Sequence, residues 1–340
     1  MKPAFDRTTV SGVRALLSGR RRFVITFHKN PDGDALASAF LLGLMLRKKK
    51  LEFLIVSANE VPRRLSFFAG RFPSVKAPDY LLMDADRPFK DQLPERFKDA
   101  VLVVLDSSNP GRAGLSAEDT ALFPDVLNID HHSDNSLFGT LNCVDPRATS
   151  IGEILYTLMP PLGIRPGPEE AELVYISLYS DTVGFSQNNT SEKARTILCD
   201  LLRLKIGLPL INRELRKKSW KYLQLSGRVF GRLRKDDSAK PAVLWSSCLL
   251  EDMRATGLGY EDLDGVIHEM SFTGEAEIVF LLKELRPSEF KASIRSTGGY
   301  NAKKTALSFG GGGHDNAAGF EISGTPGDCA ERIIAAVRRA

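Results

Sequence analysis

The chain has 340 residues, 43% hydrophobic and 26% charged, long enough for two domains that each bury a core. Its formal net charge of +4 excludes a surface built to wrap long nucleic acid, yet is compatible with a local groove for a small polyanion. No apolar run reaches the ~20 residues of a membrane span, because the stretch Ala35 to Leu46 stops at Arg47-Lys48-Lys49-Lys50, and Asp6, Arg7 and Arg14 interrupt any secretory core. The cysteines Cys143, Cys199, Cys248 and Cys329 have no paired spacing and read as free thiols, so a soluble cytoplasmic protein is expected.

In chain order, Phe23 to Phe27, Leu51 to Val56, Val101 to Leu105 and Val126 to Ile129 read as buried strands, and Leu36 to Arg47 carries helical periodicity. The alternation predicts an α/β domain with a mostly parallel sheet, whose ligands gather beyond the carboxyl ends of its strands. Polar clusters follow three of the four runs directly, so they should converge. Pro168 with Glu169 and Glu170 starts a helix that runs to Asp181. Residues 204–235, rich in Lys and Arg at helical spacing, read as a linker helix with a solvated charged face. Beyond Pro241, Ala242 to Leu250, Ala276 to Leu282 and Glu289 to Arg295 read as antiparallel strands around short helices, a smaller α+β domain. The expected division is a catalytic domain over 1–203, the linker helix over 204–235 and a substrate-binding domain over 236–340.

Four of the five histidines lie in polar clusters: His28 ahead of Asp32 and Asp34, His131 and His132 after Asp130, and His314 after four glycines. In His28-Lys29-Asn30-Pro31-Asp32-Gly33-Asp34, Pro31 and Gly33 favour a compact turn that presents three ligand-type side chains to one point; helix capping by the aspartates is the bland alternative. Asp106 emerges from the end of an apolar strand. In Asp130-His131-His132, a carboxylate beside two imidazoles suits a metal ligand and the partner that orients it. Asp181, at the negative end of a helix dipole, is disfavoured by up to about 1 kcal/mol unless a dication lies near. Asp84 and Asp86, in a Pro-flanked stretch with no histidine, read as a solvated loop. Asp32, Asp34, Asp106 and Asp181 with His28 and His131 make an oxygen-rich set that suits Mn²⁺ better than a structural zinc site, with Mg²⁺, Co²⁺ or a zinc pair as alternatives. The run Gly310-Gly311-Gly312-Gly313 frees backbone N–H groups to approach a ligand, or makes a flexible turn, and Arg295 offers a planar donor for phosphate or base.

In order, and over most of the chain, these motifs resemble those of the DHH-superfamily phosphoesterases, and within them the NrnA-type oligoribonuclease and phosphoadenosine-phosphate phosphatase group. The matching segments are His28 to Ala35, Asp106 in Val103-Val104-Leu105-Asp106-Ser107, Asp130-His131-His132 and Ser180-Asp181-Thr182-Val183-Gly184-Phe185. Gly310 to Gly319 matches the signature of the DHH-associated C-terminal domain, and Ala292-Ser293-Ile294-Arg295-Ser296 is similar to its arginine strand. The resemblance implies two divalent ions, one held by His28, Asp32 and Asp106, the other by Asp34, Asp106, His131 and Asp181, with Asp106 as the bridge. It implies that Asp130 orients His131 and that His132 faces the substrate phosphate. It also implies substrate contacts from Arg295, Ser296, Gly311, Gly312, Gly313 and His314.

The implied reaction is metal-dependent hydrolysis of short oligoribonucleotides, dinucleotides included, and of 3′-phosphoadenosine 5′-phosphate. Hydrolysis of cyclic dinucleotides or their linear products is the alternative. Inorganic pyrophosphatases resemble the chain less, having a different C-terminal signature, and RecJ-type nucleases add an oligonucleotide-binding module for which this length leaves little room. A metal-free binding module would lack ligands, and all the candidates are present. The expected partner is short RNA or a small nucleotide phosphate, with neither duplex DNA nor membrane; the oligomeric state is open, a homodimer included.

Overall fold

The computed structural model describes residues 7–339, apart from 74, 76–79, 85–86, 187–188, 239, 298 and the side chain of Glu261. The chain divides into two compact units, Met1–Lys217 and Lys218–Ala340.

In the first unit β1 (Arg22–Phe27), β2 (Glu52–Ser57), β3 (Tyr80–Leu82), β4 (Val101–Leu105), β5 (Val126–Asp130) and β6 (Leu141–Val144) form one sheet. The order is β3-β2-β1-β4-β5-β6 and every pairing is parallel. Strand β4 is apolar at every position because both faces are covered. Val101, Val103 and Leu105 join one core with Phe23, Ile25 and Phe27, while Leu102 and Val104 join another with Val24, Leu54 and Val56. The chain leaves β1 for β2 and β3 on one side and returns to β4 on the other, so the order reverses between β1 and β4. Ligand crevices open at such a switch, beyond the carboxyl ends of the strands.

Helix Gly33–Lys48 is buried at every position from Gly33 to Leu46. An element apolar on all sides needs cover on all sides, and it packs between the sheet and the helices Ile151–Leu158 and Pro168–Asp181. Their close approach depends on glycine. A Cβ on Gly33 would stand 1.9 Å from Ser180 Oγ; one on Gly152 would stand 2.2 Å from Ser177 Oγ and 2.6 Å from its Cβ. Gly33, expected to bend the loop, is instead the first residue of its helix, and the loop's left-handed residue is Asn30 (φ 55°), a type that tolerates that conformation. Among the described residues no helix is long and apolar enough to cross a membrane.

In place of one linker helix, the stretch 204–235 holds two, Leu208–Leu215 in the first unit and Trp220–Phe230 in the second. The break is capped by Ser219, whose side chain accepts from Tyr222 N at 3.0 Å. Apolar spacing continues on both sides of that cap, so periodicity alone merges the two.

The second unit carries β7 (Arg234–Asp236), β8 (Val243–Cys248), β9 (Ile278–Arg286), β10 (Glu289–Ser296), β11 (Gly312–His314) and β12 (Ala317–Ser323), in the order β11-β12-β10-β9-β8-β7. The pairing is antiparallel except between β8 and β9, which corrects the uniformly antiparallel arrangement expected. Helices Leu250–Thr256 and Leu263–Met270 lie between these two strands, and a crossover of that length returns the chain in its original direction. One face of the sheet packs on helices Trp220–Phe230 and Leu263–Met270 through Val279 and Leu281; the other packs on helix Pro326–Val337 through Phe280, Leu282 and Ile294.

Gly152→Ala should lower the urea midpoint, because overpacking costs about 1–3 kcal/mol and outweighs the ~1 kcal/mol that Ala gains over Gly in a helix. Gly227→Ala, in helix Trp220–Phe230 with nothing within 4 Å of the added Cβ, should stabilise the fold by about 0.5–1 kcal/mol instead. Shifts of the same sign in both variants would remove the packing explanation.

Candidate metal centre

His28 follows β1, Asp106 follows β4, and Asp130 ends β5 ahead of His131 and His132, so three neighbouring strands deliver these side chains to the switch point. Asp32 caps helix Gly33–Lys48 by accepting from Ala35 N at 3.0 Å, and Asp34 lies in its first turn. Capping, the bland alternative for Asp32, is therefore real, and the same carboxylate stands 3.7 Å from His28 Nε2. Asp181 is the last residue of helix Pro168–Asp181, brought to the site by the contact at Gly33.

The six candidate ligands fall into two groups that meet at Asp106. His28, Asp32 and Asp106 bring one ligand atom each within 4.8 Å of one another, as do Asp34, His131 and Asp181. Asp106 Oδ2 lies 3.4 Å from His28 Nε2 and its Oδ1 lies 3.5 Å from His131 Nε2, one oxygen toward each group. The left-handed backbone of Asp106 (φ 53°) ends the extended run of β4 at this point. His28 Nδ1 is 2.8 Å from the Lys29 carbonyl and His131 Nδ1 is 3.2 Å from that of Ala148; donation there leaves each Nε2 facing the carboxylates.

His132 also comes within this range of Asp106 and His131, but its Nδ1 is held by Asp130 at 2.8 Å. The resemblance assigned Asp130 to His131, and the structure corrects this: Asp130 orients His132, while the Ala148 carbonyl orients His131. His131 and His132 lie just beyond the end of β5, and both rings reach Asp106 Oδ1, at 3.5 and 3.7 Å.

Asp34 is fully buried and accepts from Ser38 Oγ (2.9 Å), Ser177 Oγ (2.6 Å) and Ile151 N (2.9 Å). Burial, and then the charge of Asp106, push its pKa up to about 6. Asp181 is pushed well above the usual carboxylate range by burial and then by Asp34, Asp106 and Asp32, and its Oδ2 is buried without a hydrogen-bond partner. Asp106 moves the other way: burial raises it, but hydrogen bonds from His131 and His28 outweigh burial and hold it below the usual range. Burial alone would lower the two histidines, yet Asp106 and Asp32 raise His28 to about 10, and Asp106 and Asp34 raise His131 to about 9. An orphaned buried oxygen, carboxylates that repel one another and imidazole nitrogens facing them are a donor set that fits divalent cations.

Several positioning groups carry little sequence signal. Asn128 lies buried within β5 and donates to the carbonyls of Val104 (3.2 Å) and Ser107 (3.3 Å), on either side of Asp106. Asn135 donates to Asn128 Oδ1 (2.8 Å) and to Asp130 Oδ2 (2.5 Å), which ties the turn carrying Asp106 to the Asp130–His132 pair. A polar residue inside an apolar strand is the signal available for Asn128; Asn135 and Ser177 have none. Asp84 lies outside both groups, with its backbone N–H and carbonyl engaged by Gln92, and Asp86 lies outside the described residues.

In the second unit Arg295 and His314 are both in register with Ala317, one from each side, so they share a face of the sheet. Ser296 leaves on the opposite face, its Oγ donating to the Tyr300 carbonyl at 2.7 Å. Gly311 and Gly313 are demanded by backbone packing: added Cβ atoms would stand 2.3 Å from the Gly319 carbonyl oxygen and 2.5 Å from that of Ala317. Gly312 is open on this count, with nothing within 4 Å of an added Cβ.

Because His28 and His131 hold their protons to about 10 and about 9, a divalent cation entering at pH 7 must displace them. Binding then releases protons and tightens as pH rises, about tenfold per displaced proton between pH 7 and 8. Titration calorimetry with Mn²⁺ in buffers of different ionisation enthalpy should count the released protons. A pH-independent affinity would mean that the imidazoles are not ligands.

A model of the DHH family, N-terminal domain, matches residues 22–178, and one of the DHHA1 domain matches residues 251–340. The chain is 31% identical over 316 residues to the bifunctional oligoribonuclease and PAP phosphatase NrnA of Thermus thermophilus, covering 92% of this chain and 88% of that relative. It is 26% identical over 314 residues to the protein of the same name from Bacillus subtilis, 91% of each. Among solved structures, an exopolyphosphatase-related protein from Bacteroides fragilis shares the fold, with a TM-score of 0.82 at 24% identity over 98% of this chain and 96% of its own. Two matched domains in sequence order and a relative similar over 92% of the chain lead to one assignment: this chain belongs to the DHH family of phosphoesterases, its DHH domain followed by a DHHA1 domain.

Proposed function

We propose that this protein is a cytoplasmic exonuclease of short oligoribonucleotides, dinucleotides included, that also dephosphorylates 3′-phosphoadenosine 5′-phosphate and works with two Mn²⁺ ions. The observation that carries this reading is the Asp106 carboxylate, one oxygen toward His28 and the other toward His131. Similarity over 92% and 91% of the chain to proteins named for those two activities supports the substrate class. The thiols of Cys199, Cys248 and Cys329 are not joined in disulfides, which agrees with a reducing compartment.

His28, Asp32 and Asp106 would hold one ion, and Asp34, Asp106, His131 and Asp181 the other. Paired divalent ions lower the pKa of a water and balance charge on the attacking and leaving oxygens of an in-line displacement. The chain's own part is positional. Asp130 holds His132 at Nδ1, so Nε2 is the ring atom left to meet the substrate phosphate. Ser38, Ser177 and the Ile151 N–H orient both oxygens of Asp34. Arg295 and His314 bind the part of the substrate remote from the scissile phosphate, where a planar guanidinium suits phosphate.

Chelation should abolish turnover and Mn²⁺ should restore it best, while Asp106→Asn should lose several orders of magnitude, because both groups then lose a carboxylate oxygen. Asp84→Asn, outside both groups, should keep the wild-type rate. Turnover that persists in protein shown by elemental analysis to be metal-free would contradict the mechanism.

RNAs of two to about five nucleotides should be cleaved faster than strands of about 20, since a small binding domain meets few bases and phosphates. A panel of dinucleotides, longer RNA, 3′-phosphoadenosine 5′-phosphate, cyclic dinucleotides and pyrophosphate, each with Mn²⁺, ranks the substrates. Equal rates on long and short RNA, or a preference for pyrophosphate, would overturn the reading.

A further inference from the structure

Strand register sets His314, Ala317, Arg295 and Val279 side by side across β11, β12, β10 and β9, with Gly312, Gly319, Ser293 and Leu281 in the next row. Directly paired residues share a face, so all eight lie on one side of the second unit's sheet. Over β9 that side is covered, because Val279 and Leu281 pack against Leu263, Val266, Ile267 and Met270 of helix Leu263–Met270. Over β12 and β11 it is open: Ala317 and Gly319 are half-buried, Gly312 and His314 exposed. The result is a step, with the helix as its riser, a flat floor of small residues, and Arg295 on the strand between them.

Two aromatic rings stand at the end of this riser. His268 lies in the last turn of the helix and Phe272 follows it, with ring centroids 4.6 Å apart and planes at 73°. Phe272 is 63% exposed. The segment bearing it enters β9 at Ile278, opposite Ser296, and the Glu277 carbonyl accepts from Thr297 N at 2.8 Å, so the rings belong to the Arg295 end of the face. Burial, then the charges of Lys218 and Arg295, lower the pKa of His268, which places Arg295 within electrostatic reach and leaves the imidazole neutral at pH 7. Arg295 itself is half-buried, its Nη1 donates to the Ile294 carbonyl at 3.2 Å, and among the described residues it has no salt-bridge partner.

A single exposed apolar side chain is ordinary. An exposed phenyl ring braced by a neutral imidazole, next to a half-buried guanidinium that feels the charge of Asp264 but forms no salt bridge among the described residues, and a floor of alanine and glycine, is a different situation. Each part matches a piece of one ligand class: the guanidinium suits a phosphate, and the flat floor with an aromatic ring suits a base, since every nucleobase has a π-face to stack. We propose that Phe272, braced by His268, is the wall against which a nucleobase stacks when Arg295 holds the phosphate of the same nucleotide. The inference rests on the reading of the protein as a hydrolase of short RNA and adds a subsite to it.

The test measures KM and kcat with Mn²⁺ for the RNA dinucleotide pApA and for two analogues that each lack one adenine, using wild type, Phe272→Ala and Phe272→Trp. Phe272→Ala should raise KM for pApA roughly 5- to 150-fold, the range of one base–aromatic stack, and leave kcat unchanged. It should have no further effect on the analogue lacking the stacked base, and Phe272→Trp should keep a near-wild-type KM. The exposure of Phe272 means that both variants should keep the melting temperature of the wild type. An equal rise for pApA and both analogues, or no rise at all, overturns the stacking wall while leaving the hydrolase reading intact. Failure of the wild type to cleave pApA removes the hydrolase reading, and this inference with it.

Discussion

Repulsion among carboxylates is the constraint around which the first unit is arranged. Asp34, Asp106 and Asp181 converge where little water reaches them, and two like charges ~4 Å apart oppose each other by about 4 kcal/mol even at an effective dielectric near 20. The chain offsets this in several ways. His28 and His131 take up positive charge beside Asp106, the N-terminus of helix Gly33–Lys48 lies at Asp32 and Asp34, and Asp34 accepts three hydrogen bonds. Asp181 receives less of this relief: its Oδ2 stands 3.3 Å from His131 Nε2, the one imidazole it meets among the described residues. It sits at the negative end of its own helix, and burial, then the charges of Asp34, Asp106 and Asp32, push its pKa well above the usual carboxylate range. A cluster left this far from balance by its own residues is one whose remaining charge is suited to cations.

The packing follows from the need to hold such a cluster still. Asp34 and Asp181 come from two helices that meet because Gly33 lets Ser180 come within the volume of a methyl group, and Gly152, on a third helix, does the same for Ser177. Ser177 then serves both ends of the arrangement, bonding to Asp34 and accepting from the Gly152 N–H at 2.9 Å. On the sheet side, Asn128 and Asn135 do for Asp106 and Asp130 what Ser177 does for Asp34. A buried amide such as that of Asn128 is costly unless satisfied, and it and the half-buried Asn135 bond to one another, to backbone carbonyls and to Asp130. Rigidity at the site therefore comes from polar groups whose partners are other polar groups of the site.

The second unit has a different arrangement: one face of its sheet stays partly uncovered without exposing a long apolar surface. Its sheet does this by dividing one face between strands: β9 carries Val279 and Leu281 under a helix, while β12 offers Ala317 and Gly319. Small residues keep the uncovered part flat and nearly free of apolar bulk beside Arg295. Two of the nearby glycines serve the backbone of this hairpin, so the glycine run is first a packing device.

Much was legible in the sequence because it is local. The strands β1, β4 and β5 announce themselves as apolar runs closed by His28, Asp106 and Asp130, and the helix from Pro168 to Asp181 has its start and its acidic end written in adjacent residues. Those features determine a parallel α/β unit whose ligand-type side chains share one edge, and they hold whatever the later packing. Other features depend on residues far apart in the chain, and only the tertiary structure decided them. Asp130 pairs with His132 through the course the chain takes beyond the end of β5, and Gly33 is needed because Ser180 arrives from another helix. Strand β9 runs parallel to β8 because two intervening helices turn the chain back, whereas its apolar pattern reads the same in either direction. Asn135 looks like any loop residue until the sheet sets it beside Asp130. Periodicity records which side of an element is buried; it carries no record of which distant atom lies on the other side of that contact, and the chemistry of this protein is made of such contacts.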